Sequence, residues 1–412
     1  MESTAPSWMM VTWFAVVSLT IIVCLAYLAR PALVRPPPKL RPNQAQPMIS
    51  VVIAGRNESA TIGHCIQAAL RCGYSNLEVI FVDDNSSDDS VAIARRAALA
   101  VTGSRYDTNR LRIFPSPRRN GKASSLNVGI RMARGEFIVI HDADSKIQYG
   151  IMPHWLLPFE DPQVGGVVAS IRVDNSTANL LTRLQELEYA LKFNFGRFIQ
   201  AKLGIMPIIT GMGGIFRGEV LRRLGGFDSG LGDDSDLSTM LLKQRFKLTF
   251  SHDAVVWTTV PETRAHLWSQ RMRWRRNCVK IRVSKHRDMF LLGRYGFARA
   301  IITIGLVLKI LPPIAFVIAI LWTTFVTGLL SYPEVVTSLY WIVVPLVFVR
   351  LLVIREISNT PKWINFPLVF IFPFYTLWLL LPAVYAEWAE LLRIGSKHPY
   401  VPDHVWEEIP WW

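Results

Sequence analysis

Four long runs with almost no charge constrain this chain more than any other feature: Trp8–Ala29, Ile310–Leu330, Val335–Ile354 and Trp363–Ala386. Crossing the hydrocarbon core of a bilayer takes about 20 apolar residues, and each run is long enough to do it. Arg350 lies near one end of its run, where its side chain can snorkel to the interface. Buried core helices would not repeat at this length four times. Trp8–Ala29 is too long for a cleaved leader and lacks a basic patch before it. The runs bracket a polar-patterned middle, residues 30–299, of ordinary soluble-domain size.

Flanking charge orients the spans. Arg30, Arg35, Lys39 and Arg41 follow the first run, Arg355 and Lys362 separate the third from the fourth, and Ser331–Glu334 has no cation. Cations stay on the cytoplasmic side. The expectation is an integral protein of a bacterial-type inner or plasma membrane, with a cytoplasmic middle and both termini outside. A net charge of +14 first suggests nucleic acid. The charge is concentrated, however, in Arg264–Arg287, which has no Asp or Glu and precedes a membrane run. Such a helix reads as facing lipid headgroups or phosphates, so membrane lipid is the expected partner rather than nucleic acid. Cys24, Cys65, Cys72 and Cys278 lack paired spacing, which argues against a zinc site or a disulfide framework.

Within the middle, strand and helix patterns alternate. Pro36–Pro38 makes a stiff linker. Ile49–Gly55, Leu77–Val82, Leu111–Phe114 and Glu136–Asp144 read as strands, and Ser59–Arg71, Asp88–Ala100 and Ala123–Ala133 as helices. Ser59 is a plausible N-cap, and Gly135 a helix-ending glycine. The alternation predicts an α/β, doubly wound parallel sheet. Val164–Val173 is a further strand. Leu184, Leu187, Leu191, Phe195 and Phe198 then form an apolar stripe at helical spacing, fitting either a core-facing helix or one lying in the membrane interface.

Open α/β sheets place their chemistry at the carboxyl ends of the strands. The apolar run Phe137–Ile140 leads into Asp142-Ala-Asp144. Two carboxylates there can hold a hard divalent cation, Mg²⁺ or Mn²⁺, shared with substrate phosphates; two solvated loop acids are the plain alternative. Lys122, before a helix, can reach phosphates or be a surface cation, and Asp84 ends a strand in a turn-rich loop. Asp233, Asp234 and Asp236 open a helix, where acids also complement the dipole. Gln270, Arg273 and Trp274 fall at i, i+3 and i+4, one helix face. Arg there suits a pyrophosphate, and a Trp face suits the C–H surface of a sugar.

Val82-Asp-Asp-Asn-Ser-Ser87, Asn120-Gly-Lys-Ala123, Asp142-Ala-Asp144, Gly232-Asp-Asp234 and Gln270-Arg-Met-Arg-Trp274 occur in this order, between membrane runs. Over roughly residues 49–287 the chain resembles the processive members of glycosyltransferase family 2, the synthases of cellulose, chitin, hyaluronan and poly-N-acetylglucosamine. The resemblance implies a GT-A-type, Rossmann-like cytoplasmic domain inserted between transmembrane helices, with amphipathic interface helices. It divides the chain into an N-terminal transmembrane helix (1–30), a linker (31–48), the catalytic domain (49–260), a basic interface helix (261–299), C-terminal transmembrane helices (300–390) and a tail (391–412).

The resemblance also implies roles. Glu58, Asp84, Lys122 and Asp142 would bind the nucleotide, Asp144 with Asp142 the metal, and Asp234 would be the general base. Gln270, Arg273 and Trp274 would hold the pyrophosphate and the acceptor, with Gly211 in the acceptor-pocket segment Thr210–Arg217. Relatives often carry Pro-x-x-Asn-Glu where this chain has Gly55-Arg-Asn-Glu58, which bears on Glu58 alone.

The implied activity is inverting, processive polymerisation from a UDP-sugar, glucose or N-acetylglucosamine, into a β-linked polysaccharide moved across the membrane. Implied partners are the donor, the growing polysaccharide, and accessory export or regulatory subunits. Two other readings stand beside it: single addition to a lipid-linked acceptor, and a non-catalytic membrane receptor for nucleotide or polymer. A receptor would have no use for Asp234 together with Asp142 and Asp144.

Overall fold

The computed structural model describes residues 46–103, 110–228, 234–290, 295, 302, 305, 367–392, 402 and 404. The expected spans at Trp8–Ala29, Ile310–Leu330 and Val335–Ile354 lie outside the described residues, as do most of the linker and tail. The sheet begins with β1 (Ile49–Gly55), α1 (Ile62–Leu70), β2 (Leu77–Asp83), α2 (Ser90–Thr102), β3 (Leu111–Pro115), α3 (Lys122–Met132), β4 (Phe137–Asp142) and β5 (Ser145–Ile147). There follow α4 (Ile151–Leu156), β6 (Val164–Val173), α5 (Leu180–Tyr189), a π turn (Ala190–Phe195) and α6 (Gly196–Lys202). The described chain ends with β7 (Gly214–Arg217), α7 (Gly218–Arg223), α8 (Asp234–Lys243), β8 (Lys247–Thr258), α9 (Arg264–Val279) and α10 (Leu368–Leu391).

The eight strands lie in the order β3-β2-β1-β4-β7-β6-β8-β5. β3, β2, β1 and β4 are parallel, as their continuous apolar runs require: both faces are covered by helices. Val51, Ile53, Val79, Phe81 and Val139 point into one core with α1, α2 and α4. Val52, Ile80, Val82, Ile138 and Ile140 point into the other with α3, α6 and α8. Each such side chain contributes about 1.5–3 kcal/mol on full burial.

An all-parallel sheet is not what the chain forms. β7 is antiparallel to both β4 and β6, and β5 is antiparallel to β8. Gly214 starts β7 opposite Ile140, near the carboxyl end of β4. A strand entering the sheet from that end has to run backwards. Two smaller readings also change. α1 begins only at Ile62, with no side-chain cap; the Ser59 N–H instead donates to Asp88 Oδ2 at 3.0 Å. α3 ends on Ala133, in extended conformation. Gly135 is needed because a Cβ there would lie 2.6 Å from the Ser50 nitrogen.

The stripe from Leu184 faces protein. Leu184, Leu187 and Leu191 pack with Leu267 of α9 and with Leu368, Phe372 and Tyr375 of α10. Phe198 joins the sheet core. Midway, the π turn lets Asn194 bond the β6 backbone in both directions, accepting from Ile171 N–H at 3.0 Å and donating to Ile171 O at 3.1 Å. Within α10, Phe370–Glu390 is long and apolar enough to cross a membrane. Its Phe370, Phe374, Leu381, Tyr385 and Trp388 are exposed. The basic stretch meets this helix, not lipid alone: Arg275 pairs with Glu387 at 3.1 Å and Arg276 with Glu390 at 3.1 Å.

Candidate active site

The site opens at the carboxyl ends of β1, β2 and β4. The loops after β1 and β2 are laced together. Asn57 N–H donates to Ser86 Oγ at 2.9 Å, Glu58 N–H to Ser90 Oγ at 2.8 Å, and Ser87 N–H to Asn57 Oδ1 at 2.9 Å. Burial raises the Asp88 carboxyl, but the hydrogen bonds from Ser90 and Ser59 together outweigh it and hold it down at about 2. Asp84 is buried, and both its oxygens are taken: Asn120 N–H donates to Oδ1 at 2.7 Å and Gly121 N–H to Oδ2 at 2.9 Å. Asp84 thereby sets the turn that delivers Lys122.

Lys122 Nζ lies 2.5 Å from Asp142 Oδ1. Burial works against both charges, but each holds the other ionised: the Lys122 ammonium is pushed up and the Asp142 carboxyl down. Arg273 of α9 adds to the field that lowers Asp142, so this helix reaches the same locus. Asp144 has the opposite fate. Burial and the charge of Asp142 push its carboxyl up to about 6, although Ser145 Oγ donates to it at 3.0 Å. Glu58 is also raised, by burial, despite a 2.9 Å bond from Thr61 Oγ1. His141, just before the pair, is buried, and burial pulls it down to about 4 against the opposing effects of Asp142 and of the Ser145 and Met212 backbone, so the imidazole is neutral.

Among the described residues no group of three or more His, Cys, Asp or Glu side chains could hold a metal. Asp142 and Asp144 nevertheless fit a hard divalent cation. They are oxygen donors whose mutual repulsion already shows in Asp144, and Mg²⁺ or Mn²⁺ completes its shell with water and substrate phosphates.

On the other side stands Asp234, the first residue of α8. A Cβ on Gly211 would come within 2.7 Å of Asp234 Oδ1, so the glycine is what lets that carboxylate rest on the Thr210–Gly213 backbone. Asp236 has a separate task. It accepts from Lys285 Nζ at 2.9 Å and meets His286 Nε2 at 2.7 Å. Asp233 lies outside the described residues.

Trp274 packs edge-on to Phe193 at 6.0 Å, with the Arg271 guanidinium 4.3 Å over its ring. Arg271 is in turn held by Glu188, whose Oε2 accepts from Arg271 Nη2 and from the Tyr375 hydroxyl of α10, both at 2.8 Å. Gln270 Oε1 is buried and unpartnered. Glu58, Lys122, Asp142 and Asp144 thus share one locus on the strand ends. Arg273 bears on it from α9, and Gly211 with Asp234 faces it. Asp84 stands one layer behind. Glu188 and Tyr375 escaped the sequence reading, because their partners are remote in sequence.

The family model described as "Glycosyltransferase like family 2" matches residues 46–277. A probable glycosyltransferase, YdaM, of Bacillus subtilis is 31% identical over 248 residues, covering 58% of this chain and 57% of that protein. The poly-β-1,6-N-acetyl-D-glucosamine synthase of Staphylococcus epidermidis is 28% identical over 231 residues, covering 55% and 53%. The matches therefore span little more than half the length of these relatives. Among solved structures, a mannosyltransferase from Pyrobaculum calidifontis, in complex with GDP-mannose and Mn²⁺, superimposes with a TM-score of 0.57 at 21% identity, covering 94% of this chain and 100% of that one. The fold is the GT-A-like α/β fold of glycosyltransferases. With the matched segment exceeding half its length, the chain belongs to glycosyltransferase family 2.

Proposed function

We propose that the chain is an inverting, processive hexosyltransferase that builds a β-linked polysaccharide from a UDP-sugar, glucose or N-acetylglucosamine, and passes it across the membrane. The observation that carries this reading is the nearness of two groups of residues. Lys122 with Asp142 and Asp144 suits a nucleotide diphosphate, and Asp234, seated on Gly211, is near enough for its charge to act on Lys122. The relatives that make poly-N-acetylglucosamine favour the polymer and the sugar. The apolar Phe370–Glu390 segment, docked on the Trp274 helix through Glu387 and Glu390, favours a membrane setting.

Lys122 and Arg273 bind the diphosphate and orient it, and the fixed charges need no rearrangement as negative charge grows on the leaving group. A divalent cation held by Asp144 and Asp142 would neutralise part of that charge when bound. Asp234 takes the proton of an acceptor hydroxyl as its oxygen attacks the anomeric carbon. The bond from that carbon to the diphosphate oxygen breaks, and UDP departs with the bonding pair. Attack opposite the leaving group turns an α-linked donor into a β-linked product. Trp274 carries the terminal sugar on its face, which keeps the chain in place between additions.

The test is to incubate membranes containing the full chain with a panel of radiolabelled UDP-sugars. A polymer from one donor, cut by a β-specific glycanase, supports the proposal. One sugar per lipid would transfer the assignment to single addition, and no incorporation from any donor would refute both.

A further inference from the structure

Arg197 is buried at a cost that nothing above explains. It lies at the start of α6 with 5% of its surface exposed, and its Nη1 has no hydrogen-bond partner. Arg271 is as deeply buried, at 6%, and leaves its Nε and Nη1 without partners, but it pairs with Glu188 at 2.8 Å. Arg197 forms no ion pair among the described residues. Its guanidinium instead lies 4.7 Å over the ring of Phe193, with Tyr189 edge-on to the same ring at 4.7 Å. A buried guanidinium keeps its charge and must find oxygen acceptors somewhere.

Its setting narrows where those acceptors are. Phe193 also touches Trp274. Asp234 and Tyr189 are the groups whose charge bears on Arg197, and burial draws the guanidinium down to about 10. Through Phe193, Arg197 is grouped with Trp274 in one ring cluster, and the Asp234 charge bears on it. The π turn serves this placement. It ends at Phe195 and is pinned through Asn194 to the β6 backbone, so Phe193 and Arg197 are presented together. Single π turns inside helices recur at functional sites.

We propose that Arg197 is an acceptor-binding residue: stacked on Phe193, it donates hydrogen bonds to hydroxyl or acylamino oxygens of the acceptor's terminal sugar and so holds the attacking hydroxyl against Asp234. This inference rests on the proposed function, since it presumes an acceptor sugar on Trp274. The ligand class is a neutral, oxygen-rich sugar. A donor diphosphate is the alternative that the test must separate.

The test uses the purified full chain in lipid nanodiscs, with Arg197→Met and Arg197→Lys beside the parent. Three quantities are read: UDP affinity, UDP-sugar hydrolysis without acceptor, and elongation over a concentration series of glucose and N-acetylglucosamine oligosaccharides. Losing hydrogen bonds from a charged donor predicts a fall of roughly 10- to 100-fold in kcat/KM for the oligosaccharide in Arg197→Met. UDP affinity and hydrolysis should stay near parental, and Arg197→Lys should restore part of the loss. If the Met variant does not fold, Arg197→Lys decides: a raised acceptor KM at unchanged UDP affinity supports the role. Unchanged elongation overturns it. UDP affinity falling in parallel overturns it too, by moving Arg197 to the donor. Hydrolysis falling as much as elongation overturns it as well, since Arg197 would then act through Asp234 and not on the acceptor. A parent that hydrolyses UDP-sugar but elongates no oligosaccharide overturns the proposed function and this role with it.

Discussion

The two walls of the candidate site are built differently. The donor wall rides on neighbouring parallel strands: Asp84, Lys122, Asp142 and Asp144 sit at or just beyond the ends of β2, β3 and β4, and local turns set them. The acceptor wall is gathered from distant pieces. Asp234 comes from α8, Arg197 and Phe193 from the helix broken by the π turn, Trp274 from α9, and the Tyr375 that steadies Glu188 from α10. A strand end is rigid because the sheet's hydrogen bonds make it so. A helix face is only as well placed as the side chains that tie it down, here the Glu188–Arg271–Tyr375 node. The donor wall should therefore tolerate loss of remote contacts, and the acceptor wall should not.

The largest expected effect is on Asp234. Asp234→Asn removes the proton acceptor, and turnover should fall roughly 10²- to 10⁴-fold with UDP affinity retained. Near-parental polymer yield would take Asp234 out of the mechanism. The matching cut on the donor wall is Asp144→Ala. It should abolish the Mg²⁺- or Mn²⁺-dependent part of UDP-sugar binding, measured by calorimetry, and chelator should inactivate the parent. Full activity in chelator would contradict the role given to this carboxylate.

The node is tested by Glu188→Ala, which strands the buried Arg271 charge and should cost about 3–5 kcal/mol of stability. Tyr375→Phe is milder. It removes one hydrogen bond, about 1 kcal/mol, so melting should shift by only a few degrees while acceptor KM rises and UDP affinity stays put. If UDP affinity drops instead, the two walls are not independent.

The smallest effect is a pH slope. A carboxyl raised to about 6 from an ordinary 3.8 binds its proton more tightly in the folded state. Its contribution is thus present at low pH and lost as pH rises from about 4 through 6. Metal-free Asp144→Asn should lack that slope and melt higher than the parent above pH 6. An unchanged melting profile would place Asp144 in a more solvated setting.

The contrast between the walls also explains what could be read beforehand. The apolar runs marked β1 and β6 to the residue, Ile49–Gly55 and Val164–Val173, because fully buried strands leave little choice of composition. The order of the acidic and basic motifs singled out Lys122 and Asp142, which the fold does bring into contact. The reversal at β7 was not legible, since strand direction depends on where the chain re-enters the sheet. Arg275 and Arg276 have no role legible in the sequence, because their partners Glu387 and Glu390 lie more than a hundred residues away. Glycine at 211 was visible as a small residue in a sugar-pocket segment; that it makes room for Asp234 required coordinates.

The central claim is that Trp274 is the platform of a growing chain, and Trp274→Ala tests it most directly. The variant leaves Lys122, Asp142 and Asp144 in place. In purified, reconstituted protein, UDP affinity should change little. Polymer synthesis should fall about a hundredfold, the cost of misplacing the attacking hydroxyl by about 1 Å, and residual turnover should appear as free sugar or short products. Full-length polymer made at the parent's rate would contradict the account and reduce α9 to a membrane-interface helix.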